Sequence, residues 1–277
     1  FGKNVQIQSV GRKYSVKDQM HGSYTLKAYL YLKFIILAFK SLYFNKPNIV
    51  IVIDPVALFL YRVVNFFSFR KSYLWYHNHD VLQPSQNIFH LNYWVSYIER
   101  ISFKDIDMFT LPSIERLIYF PINKLKGEYF VLPNYPSLEF YNDFYNKRTF
   151  NQKEFNIIYQ GTISENHGIE EVMYLLGYNS KINKTIILNL KGRIDSSYKN
   201  YLFSLATQLN CLEYLRFHDY TTYSEVPVLT SKCQLGIAIF KSNDIMNSTL
   251  GSASNKIYEY AAVGTPVIYL KKEHFIS

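Results

Sequence analysis

The stretch SNKIYEYAAVGTPVIYL, residues 254–270, reads as a capped helix followed by a strand. Ser254 or Asn255 can cap the helix, Gly264 closes it, and Pro266 leads into an apolar run suited to a strand. Lys256 and Glu259 stand three residues apart, on one face of that helix. Two readings of the pair are open. As an i,i+3 surface pair it would add roughly a few tenths of a kcal/mol. As a ligand site, Lys256 in the first turn would meet an anion held by the helix amides. Glu259 could then accept two hydrogen bonds from vicinal hydroxyls such as those of a ribose.

Working back from this stretch, strand and helix patterns alternate. FNIIYQG (155–161), TIILNLKG (185–192), YLRFHDY (214–220) and QLGIAIF (234–240) read as strands. ISENHGIEEVMYLLG (163–177) supplies a loop and helix, and YKNYLFSLATQL (198–209) a second helix. The first half has the same rhythm: NVQIQSV (4–10), KPNIVIVID (46–54), SYLWYHNHD (72–80), DMFTLPS (107–113) and YFVL (129–132), with a helix around 93–103. Residues 139–154, EFYNDFYNKRTFNQKE, lose the periodicity and read as a linker. The expectation is an α/β chain of two doubly wound parallel-sheet domains, 1–145 and 146–277.

In such sheets ligands bind at the carboxyl ends of strands, against helix N-termini. The strand-end residues are therefore Asp54, His77, His79 and Asp80 in the first half. In the second they are Gly161, Thr162, Gly192, Arg193, Asp219, Tyr220 and the 241–256 segment. In GTISENHG (161–168) a glycine would let the backbone approach a phosphate, though plain strand–helix turns also use glycine. A strand-end histidine can donate to a sugar hydroxyl or shuttle a proton.

Hydrophobic residues make up 48% of the 277 and charged residues 18%, the balance of a folded chain. The net charge of +9 is uneven: residues 1–140 hold 16 Lys/Arg against 9 Asp/Glu, and before Asp54 eight basic residues face only Asp18. That excess suggests an anionic membrane surface or phosphorylated lipid. Nucleic acid is disfavoured, since no zinc-finger, helix-turn-helix or aromatic RNA-binding pattern occurs. The segment 23–43 is an apolar helix interrupted by Lys27, Lys33 and Lys40, too broken for the ~20 residues of a membrane span. Packing on a sheet is the favoured reading, and an interfacial helix on acidic lipid the alternative.

Cys211 and Cys233 show no metal or redox spacing, and no secretory signal pattern is visible. The expectation is two reduced thiols in the cytoplasm. A zinc site would need ligands beyond the His77/His79 pair, and no nucleophile elbow occurs.

Taken in order, YQGTISENHGIEEV, LNLKGRID, SKCQLGIAIF and SNKIYEYAAVGTPVIY resemble the group 1 (family 4) retaining glycosyltransferases of GT-B fold. KPNIVIVID, YLWYHNHD, KDIDMFTLPS and VLPNYP match that family's N-terminal domain in order, so the resemblance covers nearly the whole chain. It implies two Rossmann-like domains facing across a cleft, the first binding acceptor and the second nucleotide sugar. It also implies a hexosyltransferase-type enzyme that moves a sugar from a UDP- or GDP-linked donor with retention and without bound metal. By the same resemblance Glu259 binds the ribose, while Gly161, Thr162 and Ser254, Asn255, Lys256 lie along the diphosphate. His79, or less favourably His77, contacts the transferred sugar, with Asp80 beside them.

The sequence departs from the family where charge matters. A carboxylate expected eight positions before Glu259 falls on Gly251, leaving its role empty or to another group such as Asp244. The Arg and Lys expected at the diphosphate fall on Thr162 and His167, so Lys256, the helix amides and Arg193 would have to compensate. His167 and the strand-end Tyr220 are counted with them as donor-binding candidates. The match also leaves out a first strand with its glycine-rich loop, and elements after Phe275, so a longer chain is expected at both ends. The first residue, Phe1, is not Met. The resulting expectation is a bacterial enzyme of surface-polysaccharide synthesis, peripheral on the inner face of the plasma membrane, with a lipid-linked glycan acceptor. The alternatives are a catalytically inactive partner subunit and, less favoured, a sugar-nucleotide epimerase of the same fold.

Overall fold

A computed structural model describes residues 24–68, 71–151, 153–178, 185–242 and 244–271. The expected strand at 4–10 lies outside them. The chain forms two compact units. One holds the described residues up to Leu111 with Arg116–Val131, the other Pro112–Glu115 with the described residues from Leu132 onward.

The first unit begins with helix α1 (Tyr24–Lys40), continued by a wider turn over Ser41–Asn45. It packs on helix α2 (Pro55–Ser68), whereas the sequence favoured packing on a sheet. Most of its surface is exposed, because its apolar residues surround the helix instead of forming one stripe. Strands β1 (Ile49–Ile53), β2 (Tyr73–His77), β3 (Met108–Leu111) and β4 (Glu128–Val131) form a parallel sheet in that order. Helix α3 (Leu91–Ser102) lies between β2 and β3 in the chain. The register pairs Ile53 with His77 and His77 with Thr110, so strand ends coincide. Each β-branched run became a strand as its composition demands.

The second unit opens with helix α4 (Leu138–Asn146), where the sequence suggested a linker. Ser137 caps it, accepting from Phe140 N at 3.4 Å, and Tyr141 is fully buried. Arg148 then anchors the following chain to three carbonyls, those of Ser231, Gly264 and Cys233. Packing on neighbouring helices overrides the weak local pattern, so the units divide at Val131–Leu132 and not at 145–146.

Five parallel strands follow: β5 (Glu154–Gln160), β6 (Thr185–Lys191), β7 (Leu215–His218), β8 (Leu235–Ala238) and β9 (Val267–Tyr269), in the order β7-β6-β5-β8-β9. The order reverses between β5 and β8, the topological switch point of a doubly wound sheet. Helices α5 (Ile169–Leu176) and α6 (Ser196–Gln208) cover one face through Ile157, Tyr159, Met173, Leu188 and Leu202. Short helices α7 (Val226–Thr230) and α8 (Ile245–Ser248) and helix α9 (Asn255–Ala262) complete the unit. Tyr260 of α9 lies flat over Gly236, where a Cβ would meet its ring at 2.5 Å, and so seats the helix on β8.

Candidate functional site

At the carboxyl ends of β5 and β6, beside α9, the second unit opens into a cavity of about 510 Å³. Its floor is the pair of strand ends Gln160–Thr162 and Lys191–Arg193. Gly161 (φ 116) and Gly192 (φ 142) both occupy backbone regions reserved for glycine. A Cβ on Gly192 would collide with the Gly161 carbonyl, so these two strand ends can meet only without side chains. One wall is the start of α9 with Ser254, Asn255, Lys256 and Glu259, and the opposite rim carries Tyr220, Thr221 and Tyr223.

The structure thus brings together Gly161, Thr162, Arg193, Tyr220, Ser254, Asn255, Lys256 and Glu259 around one cavity. No ion pair joins Lys256 to Glu259, so the surface-pair reading fails. Glu259 is only 9% exposed, and its Oε2 accepts from Gln160 Nε2 at 2.5 Å. Gln160 Oε1 in turn accepts from Thr230 Oγ1 at 2.7 Å. Burial raises the Glu259 carboxyl, and the Gln160 amide and Lys256 charge pull it back. This bond network fixes the carboxylate's orientation at the cavity wall.

Lys256 is held by aromatic groups instead. Its Nζ donates to Tyr159 Oη at 2.7 Å and lies 4.1 and 4.8 Å from the ring centroids of Tyr159 and Phe240. Burial draws its pKa down to about 7, with Glu259 opposing. Its Cε and Nζ stand where a Gly161 Cβ would be 3.5 Å away, so the lysine covers the glycine turn.

His167 takes a different place from the one expected. It is not in the cavity lining but behind it, stacked on Tyr159 with centroids 5.5 Å apart, its Nδ1 2.7 Å from Tyr159 Oη and 3.1 Å from Ser164 Oγ. Burial and the Lys256 charge depress its pKa to about 4. A neutral imidazole buttressing a tyrosine cannot replace a diphosphate-binding cation.

Lys191, which sequence reasoning missed, lines the cavity with Arg193 and Lys256. Its Nζ donates to Glu225 O at 2.9 Å, and burial lowers its pKa. Its position at the end of TIILNLKG was the available signal. Arg193 stacks over Tyr220, 4.5 Å from the ring centroid. Ser254 occupies the N-cap of α9 but makes no side-chain cap bond, and its buried hydroxyl has no protein partner. Helix capping was the wrong role for it.

Asp244, weighed as a substitute for the carboxylate absent at 251, is committed elsewhere. It caps α8, accepting from Asn247 N and Nδ2 at 2.8 and 2.7 Å and from Ser242 Oγ at 2.6 Å. The Glu115 carboxylate, held by Ser113 Oγ, instead fills the space over Gly251 where a side chain would project.

In the first unit His77, His79 and Asp80 form the turn ending β2. His77 Nδ1 lies 2.9 Å from Thr110 Oγ1, and the two imidazole centroids are 6.1 Å apart. Burial and the His79 charge lower the His77 pKa. Asp54 sits at φ 68, unusual for a non-glycine residue. Its Oδ1 accepts from His79 N at 2.8 Å and Asp80 N at 3.1 Å. The fully buried Arg116 donates to His79 O at 2.5 Å. No sequence pattern marked Arg116. Among the described residues no group of three or more His, Cys, Asp or Glu side chains is placed to hold a metal ion.

No family model matches the sequence, and no curated protein matches it. Solved structures do. The Anabaena protein HepE in complex with UDP-glucose superposes with a TM-score of 0.62 at 17% identity, over 89% of this chain and 64% of that one. Sucrose-phosphate synthase from Thermosynechococcus elongatus gives 0.62 at 14% identity, over 87% and 60%. The E. coli structure described as trehalose-6-phosphate bound with UDP-2-fluoro glucose gives 0.59 at 11% identity, over 90% and 64%. The chain thus spans less than two thirds of the length of each. At these identities the likeness establishes the fold: two parallel-sheet α/β units of the kind found in GT-B glycosyltransferases.

Proposed function

We propose that this chain is a glycosyltransferase that takes a sugar from a UDP- or GDP-linked donor. The observation that carries the reading is the cavity at the switch point of the second sheet. There Lys191, Arg193 and Lys256 surround a glycine-only strand junction, and the buried carboxylate of Glu259 faces the same space. Cations, free amides and a fixed carboxylate suit a diphosphate joined to a ribose. A bare phosphate site would have no use for Glu259. The structural neighbour HepE, solved with UDP and with UDP-glucose, supplies the same ligand class by analogy of fold.

The mechanism follows from these groups. Lys256, Lys191 and Arg193 stabilise the charge that develops on the leaving diphosphate, the cationic role that elsewhere a metal could fill. Glu259 orients the ribose through its Gln160-fixed carboxylate. In our reading the transfer retains anomeric configuration, with the leaving phosphate accepting the acceptor's proton and His79 contacting the transferred sugar. The first unit takes a lipid-linked glycan, and the enzyme works peripherally at the inner face of a bacterial plasma membrane in surface-polysaccharide synthesis. These finer points rest on the sequence resemblance.

The test is a thermal-shift and calorimetric screen against UDP, GDP, ADP and their sugars. A donor that stabilises the wild type but not Glu259→Ala or Lys191→Ala supports the reading, and failure of every nucleotide overturns it. Donor binding without sugar release in the presence of lipid-linked acceptors would favour the inactive partner subunit. NMR of the product's anomeric proton would decide retention.

A further inference from the structure

Helix α3 turns its apolar stripe outward. It buries Val95, Ser96, Glu99 and Ser102, while Leu91, Trp94, Tyr97 and Ile101 are 41% to 50% exposed. Those four recur at a spacing of three or four and so form one continuous stripe. A helix whose only task is packing would present that stripe to the core. Its neighbour α2 ends in Phe66 and Phe67, 72% and 63% exposed, their rings edge to face at 5.3 Å. With Phe59, Arg62, Ile98 and Ile101 they bound a shallow groove of about 450 Å³. Helix α1, packed on α2, adds exposed Tyr29, Leu32 and Ile36.

Charge decides what covers this layer. By sequence the three helices carry Lys27, Lys33, Lys40, Arg62 and Arg100 against one acid, Glu99. Glu99 points inward, bonded to Tyr76 Oη. Arg62 is paired with Asp105, and Arg100 donates to Tyr119 O at 3.4 Å. Lys33 and Lys40 remain exposed beside the aromatic residues. Aromatic rings with polar edges, phenyl groups and lysines reaching outward are the composition of a surface that rests at lipid headgroups. A second copy of the same face would bring lysines toward lysines. None of the described helices is long and apolar enough to cross a membrane, which leaves the interfacial mode.

We propose that α1, α2 and α3 lie on anionic membrane lipid, with Phe66, Phe67 and Trp94 entering the headgroup region. The proposal rests on the lipid-linked-acceptor reading for its purpose, though its physics is separate. Trp94 is one of two tryptophans in the chain, so Trp75→Phe makes it a single reporter. Vesicles of phosphatidylglycerol and phosphatidylcholine should shift its emission to the blue, and acyl-brominated lipid should quench it. Pure phosphatidylcholine should do both more weakly. Phe66→Ser with Phe67→Ser should lower partitioning roughly tenfold or more, and Lys33→Gln with Lys40→Gln should erase the preference for anionic vesicles.

Because Trp75 donates to Thr110 Oγ1 within the sheet, its replacement can disturb the fold. Flotation of the unmodified chain with the same vesicles is therefore read in parallel. The proposal falls if the unmodified chain floats with neither vesicle, or if the phenylalanine variants float unchanged. It also falls if Trp94 shifts with protein concentration alone while sedimentation shows a dimer, which would make the face a contact between copies. UDP thermal shifts on every variant separate the two readings. Unchanged shifts with lost flotation strike only this proposal, and retained flotation with no nucleotide response strikes only the transferase.

Discussion

Lys256 Nζ donates to Tyr159 Oη at 2.7 Å while lying 4.1 Å from the centroid of the same ring. The cation is thereby held against an apolar wall at the cavity edge, where burial draws its pKa down to about 7. A bound diphosphate would restore the charge. The folded value is below the ordinary lysine value, so the unfolded chain holds the extra proton above pH 7, and this group's contribution to stability rises with pH across that window. Ligand affinity runs the other way. UDP-glucose, whose diphosphate does not titrate nearby, should bind up to roughly tenfold more weakly per pH unit above 7, with proton uptake seen as a buffer-dependent calorimetric enthalpy. Lys256→Met should flatten that slope. A slope that survives in the variant would show that another group carries it.

Glu259 should discriminate the ribose from the phosphates. Glu259→Ala removes a charged acceptor, costing roughly ten- to a hundredfold in UDP affinity. Competition by inorganic pyrophosphate should be unchanged. The variant should also melt lower, because the buried Gln160 amide loses its acceptor. Equal losses for UDP and pyrophosphate would mean that Glu259 acts only as scaffolding for the wall.

What was legible in the chain was local. Runs such as IVIVI and IILNL read as strands, and Gly161 and Gly192 stand at strand ends as punctuation. Burial was legible only for the second run, because Ile49, Ile51 and Ile53 of the edge strand β1 are 54% to 59% exposed. The Lys256–Glu259 pair could not be resolved locally, because its meaning depends on β5 lying beside β8, a pairing of Ile157 with Leu235 far apart in sequence. The same non-local geometry hid Arg116 and Glu115. His167 was expected at the donor site, and only its packing on the Tyr159 ring shows that it stands behind the cavity lining. Residues 139–146 were misread as linker because their helical support comes from contacts with α9 and α7.

Gly192 admits no side chain. Gly192→Ala sets a Cβ against the Gly161 carbonyl at a φ of 142°, and should destabilise the second unit by about 2 kcal/mol or more. Thermal unfolding measures this, and UDP binding should fall with it because the strand junction is the cavity floor. A neutral substitution would mean that the two loops separate easily.

Asp54 should govern the order of the His79 turn. Asp54→Ala leaves the His79 and Asp80 amides without their acceptor and should cost about 1–3 kcal/mol. Asp54→Asn keeps an oxygen acceptor and tolerates positive φ, so it should cost less. Hydrogen exchange at those two amides should accelerate in the order wild type, Asn, Ala. Identical exchange in all three would show that Arg116 alone holds the turn.

Gly251 and Glu115 should behave as a coupled pair. Gly251 has φ 39, and a Cβ there would meet the Glu115 carboxylate and lie 2.6 Å from Ser113 Oγ. Gly251→Ala should therefore destabilise strongly in the wild-type background. In Glu115→Ala much of the clash disappears while the backbone strain remains, so the cost should shrink by about 1 kcal/mol in a double-mutant cycle. Additive effects would mean that Glu115 moves aside freely. A coupling of the expected size would mean that the carboxylate is seated over Gly251, and Glu115→Gln would then be the variant in which to look for slowed sugar transfer at unchanged stability.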